Sequence, residues 1–184
     1  MTKPALRRSG HAPGYTLVEM LTTISVLVIV LGLMVSLARR VRAQSAELVT
    51  KEVLIKLDRL MAEYQARNGG DLPPIDPFIR EDVPTLPDEE SLRHAAMSNN
   101  KAFVRLLRSQ EALSREFSDL PVRLYDETCI RDDWGNPIVF MPHRHKDIGM
   151  AMRDRYFFFS AGPDGKYLTR DDNLYSYESS GQGG

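Results

Sequence analysis

The chain contains a single cysteine, Cys129, so it cannot form an intrachain disulfide. We predict that Cys129 is a small buried apolar residue, because nothing near it in the sequence would activate a thiol. No nucleophile, base and orienting carboxylate occur at a recognisable spacing, which argues against an enzyme. His143 and His145 lack an evident third ligand and have cationic neighbours, so we expect a solvated loop there and not a zinc site.

An excess of basic residues is also absent. Lysine and arginine together number 24, against 25 aspartate and glutamate residues, and the formal net charge is −1. A chain with this balance has no broad positive field for a phosphate backbone, so we expect no nucleic-acid partner. The 184 residues leave room for one compact domain beside one long apolar helix.

Charged side chains are nearly absent from residues 15–38, where Glu19 is the only one. A helix needs about 20 apolar residues to cross a bilayer, so this segment is long enough to span a membrane. A carboxylate is costly inside lipid. From the residues alone, Glu19 either reaches the interface between lipid and water or has a cationic partner.

Residues 1–14 are short, basic and free of acidic side chains, and Gly14 stands directly before the apolar segment. A secretory signal peptide is cleaved after its apolar region, so this leader does not fit one. The sequence GYTLVE at positions 14–19 instead resembles the processing motif of type IV pilins and type II secretion pseudopilins. The resemblance implies that prepilin peptidase cleaves after Gly14 and methylates the new terminal amine of Tyr15.

The same resemblance assigns a role in assembly to Glu19. In a filament its carboxylate would pair with the cationic terminal amine of an adjacent subunit, so that two costly buried charges offset one another. One departure from the family pattern is Ser36, which stands where a proline often breaks the helix. Arg39, Arg40 and Arg42 follow the span, and we interpret them as anchors to anionic lipid headgroups.

Apolar side chains recur every three or four residues between positions 46 and 64, which predicts an amphipathic helix. No proline or glycine interrupts positions 38–68, and Gly69 and Gly70 then offer a left-handed C-cap. We therefore predict one helix from Tyr15 to about Arg67. Its transmembrane or filament-core part would be 15–38, and its part at 39–68 would be the spine of a periplasmic domain that covers 39–184.

Residues 71–88 are rich in proline, which excludes regular helix and predicts an irregular connector. Helical periodicity returns in residues 89–117, where we predict two short helices with a break near Asn99 and Asn100. Residues 71–120 have no counterpart in the family that the chain resembles, and we interpret them as a variable helical insert. The insert either serves packing or offers a contact surface.

Beyond Pro121 the apolar period changes to two. We predict short strands at 122–124, 138–140 and 156–159, in an antiparallel sheet that packs on the spine. The four aromatic side chains at 156–159 are expected in the core. The predicted fold class is α+β, with a long amino-terminal helix packed on a small antiparallel sheet, as in the type IV pilin-like fold.

Asp132, Trp134, Gly135 and Pro137 resemble a turn of the major type II secretion pseudopilin, Asp-x-Trp-Gly-x-Pro. Glycine supplies turn geometry, and the only tryptophan of the chain is large enough to fasten the turn to the domain. We interpret these residues as structural.

Residues 160–173, SAGPDGKYLTRDDN, resemble the calcium loop of the same family. Calcium takes roughly six to eight oxygen ligands, and the spacing of the acidic residues does not fit an EF-hand. The predicted ligands are the carboxylates of Asp164, Asp171 and Asp172 and the backbone carbonyls of Ala161 and Thr169. The alternative is an ordinary solvated acidic turn, and the sequence does not decide which of Asp171 and Asp172 would bind the ion.

The resemblance as a whole implies a structural subunit of a periplasmic pseudopilus that drives protein export through the type II secretion system. Its partners would be further copies of itself, minor pseudopilins, the inner-membrane assembly platform and prepilin peptidase. It would be a single-pass protein of the inner membrane with its carboxy-terminal domain in the periplasm. The alternatives are a type IV pilus or competence pilin, a minor pseudopilin, and a membrane-anchored enzyme or binding module.

Overall fold

The computed structural model describes residues 15–79, 86–149 and 155–178. The predicted leader, with its cleavage position at Gly14, lies outside these residues. The chain divides into two compact units, Met1–Val41 and Arg42–Gly184, which are described separately below.

The predicted long helix is confirmed as α1 (Leu17–Arg67). Its end also follows the sequence, because Gly69 and Gly70 both have positive φ angles, of 69° and 94°. The amide of Gly70 donates to the carbonyl of Gln65 at 2.8 Å, which satisfies one of the last helical carbonyls. Glycine is suited to this position because a side chain disfavours left-handed backbone.

Within the first unit, every described residue is exposed to solvent. Apolar side chains dominate this part of α1, and an 18-residue window has a mean hydropathy of 2.5 with none of its residues buried. In the described part of the chain, α1 is the one helix long and apolar enough to cross a membrane. Its length and composition therefore permit a membrane span.

The second unit holds two further helices, α2 (Glu89–Ser109) and α3 (Glu111–Ser118). Asp88 caps α2, because its carboxylate accepts a hydrogen bond from the amide of Ser91 at 2.7 Å. The predicted helix break at Asn99 and Asn100 is wrong: α2 continues through both residues, and the chain turns at Gln110 instead. Both asparagine side chains are buried and bind backbone groups elsewhere in the fold, so they do not disrupt the helix.

The sheet consists of β1 (Val139–Met141), β2 (Phe157–Ser160) and β3 (Leu174–Tyr175). The strands are antiparallel in the order β1-β2-β3, with Phe140 opposite Phe158 and Phe159 opposite Tyr175. The strands predicted near 138–140 and 156–159 are therefore present.

The third predicted strand is wrong. Residues Val122–Leu124 form one turn of 3-10 helix, closed by a hydrogen bond of 2.8 Å from the amide of Leu124 to the carbonyl of Pro121. Pro121 itself lies before the turn, with a φ of −56° and a ψ of 121°. The real third strand is β3, whose two residues are too few to show a period in the sequence.

Both faces of the sheet are buried. Phe140 and Phe158 on one face join a core that also contains the buried apolar residues of α1 between positions 53 and 64 and Phe103 of α2. On the other face, four residues of β1 and β2 pack with a second group: the residues of these two strands are Val139, Met141, Phe157 and Phe159, and the others are Phe78, Ile79, Leu92, Ala96, Ile148, Ala161, Tyr167 and Tyr175. The sheet therefore packs on the carboxy-terminal part of α1, and the aromatic run at 156–159 is core, as predicted.

Two side-chain amides from α2 bind the outer edge of the sheet. Asn99 accepts a hydrogen bond from the amide of Phe140 at 2.8 Å and donates to the carbonyl of the same residue at 3.0 Å. Asn100 accepts from the amide of Ile130 at 2.8 Å and donates to the carbonyls of Ile130 and Ile138. These two side chains take the place of a neighbouring strand beside β1.

Two small sequence predictions have different outcomes. Cys129 is fully buried, as predicted, and burial raises the pKa of its thiol. His145 contradicts the prediction of a solvated loop, because only 5% of its surface is exposed. A tight turn between His145 and Gly149 folds the ring inward, where its Nδ1 atom accepts a hydrogen bond from the amide of Asp147 at 3.3 Å.

Candidate functional site

The first candidate site lies at the start of α1. Tyr15 is 84% exposed, and Thr16 precedes the first helical residue. The carboxylate of Glu19 accepts hydrogen bonds from the amide and the hydroxyl of Thr16, at 2.9 and 3.0 Å. The hydroxyl of Thr16 accepts in return from the amide of Glu19 at 3.2 Å. This reciprocal arrangement is a capping box, which satisfies helix-start amides that otherwise lack a partner.

The capping role of Glu19 was missed from the sequence, although its signal was there. Threonine followed three residues later by glutamate, directly before an apolar run, is the usual pattern of a capping box. Glu19 therefore already has a structural function within a single chain. Any test of a second function in assembly has to separate the two.

Other polar side chains in the apolar segment bond to their own helix. Thr22 and Thr23 donate to the carbonyl of Glu19 at 3.0 and 2.7 Å, and Ser25 donates to the carbonyl of Leu21 at 2.8 Å. Hydroxyl groups satisfied in this way are compatible with a lipid environment. Glu19 keeps a carboxylate that is in no ion pair with any described residue.

The second candidate site begins with the turn at residues 132–137. Asp132 is 1% exposed, and its carboxylate accepts hydrogen bonds from the amides of Trp134 and Asn136 at 3.0 and 2.7 Å. Gly135 has a φ angle of 94°, which glycine adopts without strain. Trp134 is only half-buried. Hydrogen bonds from Asp132, more than the indole ring, therefore define the turn.

Three hydrogen bonds join this turn to the loop at residues 160–173. The hydroxyl of Ser160 donates to the carboxylate of Asp132 at 2.6 Å, and the side-chain amide of Asn136 donates to the carbonyl of Gly162 at 2.9 Å. The phenol of Tyr167 donates to the carbonyl of Pro137 at 3.2 Å. The turn and the loop, which the sequence analysis singled out separately, thus form one structural unit.

Burial affects the ionisable groups of this unit. It raises the pKa of the Asp132 carboxyl, while hydrogen bonds from Ser160 and Asn136 act in the opposite direction. Burial also raises the pKa of the Tyr167 phenol, and the nearby charge of Asp132 adds to this effect. The cause is common to both residues, because a charged form is disfavoured where water is excluded.

The loop closes on itself at Gly162, whose φ angle is 66°. A Cβ atom at this position would lie 2.0 Å from the carbonyl oxygen of Asp172, so only glycine permits the two ends of the loop to approach. The three predicted carboxylate ligands are Asp164, Asp171 and Asp172, and all are exposed. Of the two predicted carbonyl ligands, Ala161 is buried and Thr169 is half-buried.

The fit of this loop to calcium depends on its oxygen atoms. In residues 15–79, 86–149 and 155–178, no three histidine, cysteine or acidic side chains are grouped as a metal site. The side-chain oxygen of Asn173 is buried and has no hydrogen-bond partner, while its nitrogen donates to the carbonyl of Tyr167 at 3.0 Å. Carboxylate, amide and backbone oxygens are the ligands that calcium prefers. The loop therefore contains oxygen atoms of the types that calcium accepts, its carboxylates are not grouped as a metal site, and calcium binding stays a prediction.

Comparisons of the chain with protein-family models, with curated proteins and with solved structures found no match. The class that the structure defines is an α+β protein with a long apolar amino-terminal helix and a small antiparallel three-stranded sheet. Its helix α1 is able to span a membrane by length and composition.

Proposed function

We propose that the chain is a structural subunit of a membrane-anchored filament, and specifically the major pseudopilin of a type II secretion system. It is cleaved after Gly14, methylated at Tyr15 and polymerised in the periplasm, where the filament drives protein export. Support comes from the GYTLVE motif, whose residues from Tyr15 onward lie at the start of α1. It is a mechanical part and not an enzyme.

The observation that carries this proposal is the division of α1 into two different parts. Residues 17–38 are apolar, exposed and charged only at Glu19. The later part of α1 supplies buried residues such as Leu57 and Leu60 to the core of the domain. A membrane anchor joined to an independent module would need no such sharing of one helix. A filament subunit does need it, because the helix has to carry force from its lipid or filament core into the domain.

Calcium has a subordinate role in the proposal. Asp164, with Asp171 or Asp172 and the carbonyls of Ala161 and Thr169, would hold the ion and stiffen the loop at residues 160–173. Calcium is then expected to raise the melting temperature of the full chain, and Asp164→Ala to abolish the increase. Asp71→Ala is the control, because Asp71 is an exposed aspartate outside the loop. An equal melting temperature with calcium and with chelator would contradict this role.

The experiment on assembly uses the precursor in cells that contain prepilin peptidase and an assembly platform. We expect cleavage after Gly14 and filaments from the wild type, but no filaments from Glu19→Ala. Since Glu19 also caps α1, Thr16→Ala is the matched control. That variant loses the cap, at a cost of about 1 kcal/mol, and keeps the charge, so it should still form filaments.

The outcome that would overturn the proposal is equally concrete. A membrane-anchored enzyme or binding module would show neither cleavage nor filaments. If Glu19→Ala and Thr16→Ala fail together, helix capping explains the need for Glu19, and the proposed charge pairing between subunits is wrong.

A further inference from the structure

Apart from Arg93, the charged residues of α2 are acidic in its first turn and basic in its second half. Residues 88–90 at its start are Asp-Glu-Glu and are all exposed. Lys101, Arg105 and Arg108 lie in its second half, are also exposed, and are spaced by four and three residues, which puts them on one face of the helix. Attraction to the helix dipole extends only over the first and last turns. It does not account for Lys101 or Arg105, since α2 ends at Ser109.

The basic face of α2 borders a cleft of about 360 Å³. The residues that line this cleft are Lys101, Val104, Arg105, Arg108, Glu127 and Thr128. The lining therefore contains three basic side chains and a single acidic one, Glu127. Neither Lys101 nor Arg105 forms an ion pair with any residue that the structure describes. The guanidinium of Arg108 lies 5.7 Å from the centre of the Phe117 ring and donates to the backbone carbonyl of Asp126, so no carboxylate neutralises it.

We propose that this cleft, called the basic cleft below, binds the start of α2 from a second copy of the chain, at residues 86–90. These residues have three negative charges and no positive one. Leu86 precedes them and is 47% exposed, so the segment also has an apolar side chain available for contact. The loop at 160–173, whose aspartates are exposed, is a poorer occupant, because Lys166 and Arg170 lie among these aspartates.

The contact has to be made between two molecules. Positions 88 and 105 are 17 residues apart on one helix, so they are separated by about 25 Å at 1.5 Å per residue and do not meet within one copy. The two complementary surfaces are different, and a head-to-tail contact between different surfaces repeats along an open filament unless its rotation closes it into a ring. This inference rests on the proposed function and adds to it one specific contact between neighbouring subunits.

A cysteine pair tests the contact in assembled filaments of the full chain. Glu89→Cys combined with Arg105→Cys places one new thiol on each surface, and the native Cys129 is fully buried and should not interfere. Mild oxidation is expected to give a ladder of covalent multimers. Either single variant, used as the control, should give no ladder. Dimers without higher species would overturn the head-to-tail arrangement, and monomers alone would overturn the contact.

Charge reversal tests the same contact without new thiols. We expect Glu89→Lys with Glu90→Lys to lower filament yield about tenfold or more, and Lys101→Glu with Arg105→Glu to do the same, because like charges then meet. All four changes together should restore the yield. Arg115→Glu on α3 is the control, since Arg115 is 78% exposed and outside the cleft.

The two proposals fail in different ways. If the wild type forms filaments but reversal has no effect or the fourfold variant stays defective, the contact is wrong and the filament function stands. If the wild type forms no filaments in the presence of peptidase and platform, the proposed function itself is wrong.

Discussion

Replacement of Asp132 by alanine should weaken the domain more than replacement of any neighbouring acidic residue. The carboxylate of Asp132 is buried and accepts four hydrogen bonds, from the amides of Trp134 and Asn136, the side-chain amide of Asn136 and the hydroxyl of Ser160. Asp132→Ala removes all four at once. The hydroxyl of Ser160 is itself buried, so its loss of a partner is not compensated by water.

The size of the effect follows from these contacts. Four hydrogen bonds at a net value of about 1 kcal/mol each give about 4 kcal/mol. Burial of the carboxylate is itself unfavourable, which its raised pKa reflects, so the net loss on replacement by alanine is smaller than this sum. We therefore expect Asp132→Ala to lower the free energy of unfolding by about 3 kcal/mol.

The assay is urea unfolding of the full chain in detergent micelles with a calcium chelator present. Trp134 is the only tryptophan, so its fluorescence reports on the turn, and circular dichroism reports on the helices. Asp133→Ala is the matched control. Asp133 pairs with Arg123 at 3.1 Å, and the Arg123 side chain is 60% exposed, so this ion pair should contribute less than about 1 kcal/mol.

The reasoning would be refuted by equal destabilisation in the two variants. Such a result would mean that the four hydrogen bonds to Asp132 add nothing beyond a surface ion pair. A loss confined to the fluorescence signal, with the helices unaffected, would also contradict it, because the turn would then unfold independently of the domain.

Three further predictions concern the same domain. Asp132→Asn should flatten the pH dependence of stability. The raised pKa of Asp132 means that its ionised form is disfavoured in the folded state. The wild type therefore loses stability as pH rises above about 3.8, the ordinary aspartate value, and the variant does not. Gly162→Ala should lower the free energy of unfolding in urea by about 2 kcal/mol more than Gly69→Ala. The two φ angles are nearly equal, at 66° and 69°, but only at Gly162 would a Cβ atom meet backbone. Equal costs for the two variants would exclude this close approach. Asn100→Ala should lower the free energy of unfolding by about 3 kcal/mol, because the amide of Ile130 and the carbonyl of Ile138 lose their partner and the carbonyl of Ile130 keeps only the amide of Ile138. The exposed Ser98→Ala should cost less than about 0.5 kcal/mol, and a small effect at Asn100 would show that water replaces the amide.

Much of the helical part of the fold could be predicted from the sequence. The extent of α1 follows from its apolar residues and from Gly69 and Gly70, which are local signals. The error at Asn99 and Asn100 has a different origin. Asparagine is a poor helix former by itself, but here both amides bind backbone groups that are 23 to 41 residues away in the chain. No local pattern contains that information.

The candidate sites were predictable to different degrees. Asp132, Gly135 and Asp164 were all predicted from the sequence. Trp134 was expected to fasten the turn, whereas the hydrogen bonds to Asp132 define it. The hydrogen bond between Ser160 and Asp132 joins residues 28 positions apart, so only the folded chain reveals it. The capping box of Thr16 and Glu19 differs, because a local pattern, threonine followed three residues later by glutamate, indicates it in the sequence.

The amides that α2 places beside β1 also restrict what the sheet can do with other molecules. Unpaired backbone groups along an outer strand are a template for another strand and a common start of aggregation. At Phe140 the amide and the carbonyl are both bound to Asn99, so an incoming strand finds no donor or acceptor there. At high local concentration, another copy therefore cannot add a strand to β1 at this position, and contacts there have to be made by side chains.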